Sequence, residues 1–383
     1  MKTILVVEDD LGIARGLCDN LECEGYRALR ENDGLKGYER ARLERPDLVI
    51  LDVMLPTMDG FQICTSLKRE GFSAPIFLLT GLTEEHSRLK GLRHGADDYI
   101  DKPFNLQELL LRIRNVLRQR EVVDDEVKQL QDEFFRARKI QMASLPRRHP
   151  RFQCLDVYGK TIPATQVGGD YFDYLNLGKR RLGIIVADVS GKGMPAAMHV
   201  QKIQGIVQSN AKTISGSAQM LRVLQEHMSG SMESSSFITA VVALFDLDAG
   251  TMEVAQAGHL PVLLIQKNKI RQLKPPGIWI GKTATPMFEK SLRVETVNLH
   301  RGDLILFFSD GLVEARNLQM TEFGLTRLKK MLAGMHFRRA AAVVERCLEE
   351  VKKFSGTESQ SDDITVVAVK ITAQRTNIKE KIP

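Results

Sequence analysis

Cysteine is scarce in this chain, and its placement excludes more than its number does. The five cysteines, Cys18, Cys23, Cys64, Cys154 and Cys347, are odd in number, scattered and never spaced C-x-x-C. That pattern argues against a disulfide framework or a zinc site and fits a reducing cytosol, so a cytoplasmic location is expected. Long apolar runs are also missing. Leu304-Ile305-Leu306-Phe307-Phe308 is strand-length, far short of the roughly 20 residues a membrane helix needs. No basic-then-apolar start with a cleavage site follows Met1-Lys2, so neither a signal peptide nor a membrane partner is expected. Internal repeats and low-complexity stretches are absent.

What is present is soluble-globular in composition, with 43% hydrophobic and 27% charged residues. At 383 residues the chain is too long for one ordinary core, and two domains with a connector are expected. The net charge of +6 divides unevenly: −2 over residues 1–120, 0 over 121–150 and +8 over 151–383. The excess is dispersed, as Lys329-Lys330, Arg338-Arg339, Lys352-Lys353 and the tail, and no helix-turn-helix or RNA-binding signature accompanies it. A nucleic-acid partner is therefore disfavoured.

From Thr3 to about Arg120, short buried-type strands such as Thr3–Val7, Leu48–Leu51 and Ile76–Leu79 alternate with helical stretches. That pattern predicts a doubly wound parallel sheet with helices on both faces, its active groove beyond the C-terminal strand ends. From Leu106 to about Ser144 neither Gly nor Pro occurs, and a sustained helix is expected. Its apolar residues Leu106, Leu109, Ile113, Val116, Val123, Val127, Leu130, Phe134 and Ala137 step alternately by 3 and 4, broken only by Arg120. This is a heptad seam: residues 106–117 are expected to pack on their own domain, and 120–140 to dimerise as a coiled coil or carry a signal. Leu145-Pro146 ends the helix. After about residue 151 strands cluster between paired helices without βαβ alternation, which predicts an α+β domain built on an antiparallel sandwich flanked by helices. The expected boundaries are 1–120, 121–150 for the linker, 151–372, and a polar tail over 373–383.

Acidic residues follow the strands of the first domain: Glu8-Asp9-Asp10 after the first and Asp52 after the third, with Thr80 after the fourth and Lys102 after the fifth. Carboxylates this close repel unless a divalent cation sits among them. An oxygen-only set suits Mg2+, which accepts phosphate oxygens, and a neighbouring lysine would neutralise a phosphoryl group. Glu8-Asp9, Leu51-Asp52-Val53-Met54-Leu55-Pro56 through Gly60, Thr80-Gly81 and Asp101-Lys102-Pro103-Phe104 resemble the response-regulator receiver family, a flavodoxin-like fold, over residues 1–120. The resemblance implies that Asp52 is the phosphoacceptor and that Glu8, Asp9, Asp52 and the Met54 carbonyl bind Mg2+. It also implies that Lys102 contacts the phosphoryl group and that Thr80 and Tyr99 are switch residues.

The C-terminal part sets aspartates beside glycines at strand ends: Gly168-Gly169-Asp170, Asp188-Val189-Ser190-Gly191-Lys192-Gly193, Ser309-Asp310-Gly311 and Asp362-Asp363. Acids are normally excluded from such positions unless paired or metal-bound. Without a His/Cys cluster, hard ions such as Mg2+ or Mn2+ are implied, and two of them would clamp an in-line displacement at phosphorus. Val186 through Ala197, Phe308 through Ala315 and the supporting Ala257-Gly258-His259-Leu260-Pro261 resemble the SpoIIE-like branch of the PPM phosphatases over residues 151–371. Ala137-Arg138-Lys139-Ile140-Gln141 with Leu145-Pro146 resembles the linker helix that often precedes that branch. The resemblance implies two Mn2+ or Mg2+ ions held by Asp170, Asp188, Asp310, Asp362 and the Val189 carbonyl. Lys192 stands where many relatives have His, and Asp363 reads as a residue supporting the ligands.

The expected function is a two-component response regulator whose phosphorylation controls a metal-dependent phosphoserine/phosphothreonine phosphatase. A binding protein that holds a regulator without catalysis is the alternative, and loss of metal ligands would mark it. The resemblance implies a sensor histidine kinase upstream and a phosphorylated STAS-type anti-sigma-factor antagonist as substrate, while the heptad seam predicts a homodimer through about residues 120–140.

Overall fold

The computed structural model describes residues 1–81, 95–146, 148–150, 152–178, 180–267, 269–333 and 339–373. The tail from 374 onward and Arg338 lie outside the described residues. The chain divides into two compact units, Met1–Gln131 and Asp132–Pro383.

The first unit is a five-stranded parallel sheet of β1 (Thr3–Val7), β2 (Arg27–Glu31), β3 (Leu48–Asp52), β4 (Ile76–Thr80) and β5 (Asp98–Asp101), in the order β2-β1-β3-β4-β5. The helices α1 (Leu11–Cys23), α2 (Gly34–Glu44) and α3 (Gly60–Arg69) follow the first three strands. Each starts on an aspartate whose carboxylate accepts from its first-turn amides: Asp10 for α1, Asp33 for α2 and Asp59 for α3. Strand alternation divides the core. Ile4, Val6, Leu48 and Ile50 pack with Leu17, Leu21, Leu109, Ile113 and Leu117 on one face. Leu5, Val7, Val49 and Leu51 pack with Ala41, Ile63 and Leu67 on the other.

The helix α4 (Leu106–Ser144) has the expected bounds. Its first turns pack on their own unit through Leu109, Ile113 and Leu117. Farther along, Val123, Val127, Leu130 and Phe134 are exposed, and so are Val122 and Phe135 beside them. In the second unit Leu145 joins a core cluster.

The second unit is a sandwich of two antiparallel sheets. One has the order β14 (Val294–Asn298), β10 (Thr251–Ala257), β9 (Phe237–Asp246), β8 (Arg181–Val189), β7 (Asp170–Asn176), with the short β13 (Ile280–Gly281) also on β9. The other has the order β12 (Lys269–Leu273), β11 (Val262–Gln266), β15 (Leu304–Phe308), β16 (Ile364–Ile371), β6 (Leu155–Ile162). Phe172, Val186, Phe245, Phe307 and Val367 fill the space between the sheets. The helices α5 (Met194–Asn210) and α6 (Ser217–Met228) cover the first sheet through Val200, Ile203, Leu221 and Leu224. Over the second sheet lie α8 (Leu325–Ala333) and α9 (Ala340–Ser355), through Leu328, Val344 and Cys347. A short α7 (Thr285–Ser291) precedes β14. Burying each such Leu, Val or Phe stabilises the unit by about 1.5–3 kcal/mol. All five cysteines are free thiols.

Candidate functional site

The first acidic cluster sits where parallel strands end. Glu8 follows β1, Asp52 closes β3, Thr80 closes β4 and Lys102 follows β5. One ligand atom from each of Glu8, Asp9 and Asp52 lies within 4.8 Å of the others. Glu8 and Asp52 are buried and Asp9 is exposed. The Lys102 ammonium donates to Glu8 Oε2 at 2.7 Å and to Asp52 Oδ2 at 2.8 Å. Burial is the largest cause holding the Glu8 carboxyl above its ordinary value; the Asp52 charge adds to it and Lys102 opposes it. The Met54 amide donates to Asp52 Oδ1 at 3.2 Å, and the Met54 side chain is exposed. Thr80 is buried, and its carbonyl accepts the Lys102 amide at 2.7 Å. The Tyr99 hydroxyl is buried without a hydrogen-bond partner among the described residues, and burial pushes it up to about 12. Asp10, the third acid of the run, caps α1. The oxygen-only trio fits a hard cation such as Mg2+.

The second cluster lies in the sandwich. Asp170 at the start of β7 is the cross-strand partner of Asp188 near the end of β8, a placement that is destabilising for two bare charges. Asp310 opens a 3-10 turn after β15, and Asp362-Asp363 immediately precede β16. Burial first, then the Asp188 charge, holds the Asp170 carboxyl well above its ordinary value, against a 2.6 Å hydrogen bond from Ser309 Oγ to Asp170 Oδ2. Asp188 is pushed up to about 7 by burial, then by the charges of Asp310, Asp362, Asp363 and Glu314. Asp310 is raised by burial and then by Asp362. Among the described residues the cation paired with this group is Lys192, whose ammonium lies 3.3 Å from Asp362 Oδ2 and also donates to the Ser361 carbonyl. Two buried acids, Asp170 and Asp363, and three half-buried ones, Asp188, Asp310 and Asp362, against one exposed lysine form a donor set short of positive charge, which hard divalent ions would supply. These acids face one another electrostatically but form no triad as tight as that of Glu8, Asp9 and Asp52 among the described residues.

Asp363 ties this site together. Its carboxylate accepts the amides of Ala164 at 2.7 Å and Gly169 at 2.6 Å. Any side chain at Gly168 would put its Cβ 2.5 Å from Asp363 Oδ2, and one at Gly311 would put it 2.1 Å from the Asp363 carbonyl oxygen, so both must be glycine. The Val189 amide in turn donates to the Gly169 carbonyl at 3.1 Å. Sequence reasoning passed over three members. Ser309 holds Asp170, and the Glu314 charge helps raise Asp188. Gln141, near the end of α4, exchanges two hydrogen bonds with the Gly168 backbone, Nε2 to O at 2.7 Å and N to Oε1 at 3.0 Å. The signal for Ser309 and Glu314 was their place in the motif around Asp310; Gln141 lay in a linker motif but carried no chemical cue. His259 is buried with Nδ1 2.8 Å from Thr239 Oγ1, and burial lowers it to about 4.

Two family models match the chain. The response regulator receiver domain matches residues 4–114, and Stage II sporulation protein E (SpoIIE) matches residues 178–372. The alkaline phosphatase synthesis transcriptional regulatory protein PhoP of Bacillus subtilis is 42% identical over 121 residues, 32% of this chain and 50% of its own length. The chain spans about half the length of the curated relatives it matches. Among solved structures, the SiaA PP2C domain of Pseudomonas aeruginosa has a TM-score of 0.57 at 20% identity, covering 64% of this chain and 98% of that chain. The RsbU and RsbW domains of a Mycobacterium tuberculosis protein give 0.50 at 25% identity, covering 58% of this chain and 62% of that chain. The SpoIIE phosphatase domain of Bacillus subtilis, with a fragment of its regulatory domain, gives 0.51 at 18% identity over 58% and 64%. Together with the acid clusters these matches place the chain: it belongs to the SpoIIE family, with a response-regulator receiver domain ahead of a PPM-type phosphatase domain.

Proposed function

We propose that phosphorylation of Asp52 by a sensor histidine kinase controls hydrolysis of a phosphoserine or phosphothreonine on a protein substrate by the second unit. The observation that carries the reading is the group formed by buried Asp170 and half-buried Asp188 and Asp310, each carboxyl raised by burial and then by the charge of a neighbouring aspartate, in the sandwich. In the first unit Asp52 offers a carboxylate oxygen to the phosphodonor, and Lys102, already on Asp52 Oδ2, holds the resulting phosphoryl charge. Thr80 and Tyr99 would carry the change into β4 and β5, and Glu8, Asp9, Asp52 and the Met54 carbonyl would hold a Mg2+ that neutralises phosphoryl charge.

In the second unit, two Mn2+ or Mg2+ ions bound by Asp170, Asp188, Asp310, Asp362 and the Val189 carbonyl would supply a water of lowered pKa and charge for the phosphoryl oxygens. Ser309 fixes the rotamer of Asp170, and Asp363 fixes the loop before it. Lys192 offers a proton donor and a positive charge at the exposed rim. Keeping all four aspartates favours catalysis over the binding-protein alternative. The match to the SpoIIE family supports a phosphorylated STAS-type anti-sigma-factor antagonist as the substrate.

The domain boundaries are proposed at 1–120, 121–150 and 151–372, in the cytoplasm; among the described residues no helix is long and apolar enough to cross a membrane. A homodimer through about residues 120–140 would cover the exposed Val123, Val127, Leu130 and Phe134. Sedimentation of the full chain should then give a dimer; a monomer at micromolar concentration would contradict it.

Turnover of a phosphoserine peptide with Mn2+ tests the catalytic reading. The full chain should hydrolyse it, and Asp188→Ala or Asp310→Ala should each lower the rate by about 10²-fold or more, because a lost ligand removes both nucleophile and charge. Near-normal rates in both variants would overturn the assignment and favour the binding protein.

A further inference from the structure

The rim beside the carboxylates carries an exposed aromatic pair that no part of the proposed chemistry uses. Trp279 is the only tryptophan in 383 residues. It is 53% exposed, and Phe237 is 39% exposed. Their ring centroids lie 5.8 Å apart. Large aromatics left in water beside each other are unusual on a surface without a partner.

Strand register puts the pair on the face of the site. Asp188 is the cross-strand partner of Thr239, and directly opposed residues share a sheet face. Phe237, the first residue of β9, lies two residues from Thr239, so its side chain points to that same face. The Phe237 backbone is joined to the loop after Asp188 in both directions: its amide donates to Ser190 Oγ at 2.8 Å, and its carbonyl accepts the Ser190 amide at 2.9 Å. Trp279 immediately precedes Ile280, which pairs with Ile238 on the same strand.

The platform is also held still. The buried Gln225 side chain donates to the carbonyls of Gly281 at 3.0 Å and Thr283 at 2.9 Å, and accepts the Gly281 amide at 3.1 Å. A preorganised aromatic patch loses little entropy on binding, and such residues dominate protein interfaces.

Resting on the phosphatase reading above, we infer that Trp279 and Phe237 form the docking surface for the folded phosphoprotein substrate, gripping an apolar patch beside its phosphoserine. The shared face and the hydrogen bonds to Ser190 commit the occupant to the molecule whose phosphate enters the acid cluster. Lys282, whose ammonium lies 3.2 Å from Ser234 Oγ next to this pair in sequence and register, adds a positive edge suited to an acidic rim on that protein.

The experiment compares three substrates on the full chain with Mn2+: p-nitrophenyl phosphate, a ten-residue phosphoserine peptide, and the intact serine-phosphorylated STAS-domain protein from which that peptide is taken. The parent chain should prefer the intact protein to the peptide. Trp279→Ala should lower kcat/KM on the intact protein by about tenfold or more, mainly through KM. The same variant should stay within about twofold on p-nitrophenyl phosphate, and Trp279→Phe should restore most of the loss. A parent that treats protein and peptide alike would overturn the docking surface, as would a variant that loses activity equally on all three. Failure of the parent to hydrolyse p-nitrophenyl phosphate would instead overturn the phosphatase reading.

Discussion

His259 shows how one side chain can report on packing next to a reaction site. It hydrogen-bonds Thr239, the cross-strand partner of Asp188, and is almost wholly buried. Its folded value of about 4 lies below the ordinary 6.5 because burial disfavours the imidazolium. Between those values the unfolded chain binds a proton that the folded chain refuses. The stability His259 contributes is therefore complete above pH 6.5 and is lost as pH falls toward 4, by roughly 3 kcal/mol at most. Denaturant unfolding of the parent and His259→Gln at pH 7 and pH 5 should show a smaller acid loss in the variant. Equal acid losses would contradict the burial argument.

At the scale of elements, the end of α4 is where helix and metal-type site meet within the second unit. Gln141 satisfies both backbone groups of Gly168, and the Ser144 carbonyl accepts the Gln204 side chain of α5 at 2.6 Å. The loop before Asp170 is thus held by Gln141 on one side and Asp363 on the other. Gln141→Ala strands a buried N–H and C=O, at about 1–3 kcal/mol each. It should raise the Mn2+ concentration needed for half-maximal turnover several-fold while the first unit still accepts a phosphoryl group. An unchanged Mn2+ dependence would leave Gln141 a fold residue only. The sheet of the first unit, the bounds of α4 and the acid-bearing turns were legible because their apolar periods are strong and their acids stand against them. The strand β7 was not, since Asp170, Asp173 and Asn176 interrupt its apolar pattern. Asp173 is tolerated in the interior because the Tyr171 hydroxyl donates to it at 2.9 Å and Gln208 at 3.3 Å. Such partners, like Gln141 and Ser309, exist only once distant segments meet.

For the whole molecule, the central claim is that chemistry at Asp52 governs chemistry at Asp188 and Asp310. One unbroken helix contributes Leu109, Ile113 and Leu117 to the first unit and Gln141 to the second. On the proposed reading, phosphorylation would bias this helix, and with it Gly168 and the start of α5, between two arrangements that complete or loosen the metal site. On the same reading, a partner helix covering the exposed apolar stretch between its ends would stabilise one arrangement. The direct test is the Mn2+-dependent rate on a phosphoserine substrate with and without acetyl phosphate, in the parent and in Asp52→Asn. The parent's rate should change several-fold with the donor, and the variant should keep basal turnover but ignore the donor. A variant that responds to acetyl phosphate as strongly as the parent would contradict the control of one unit by the other.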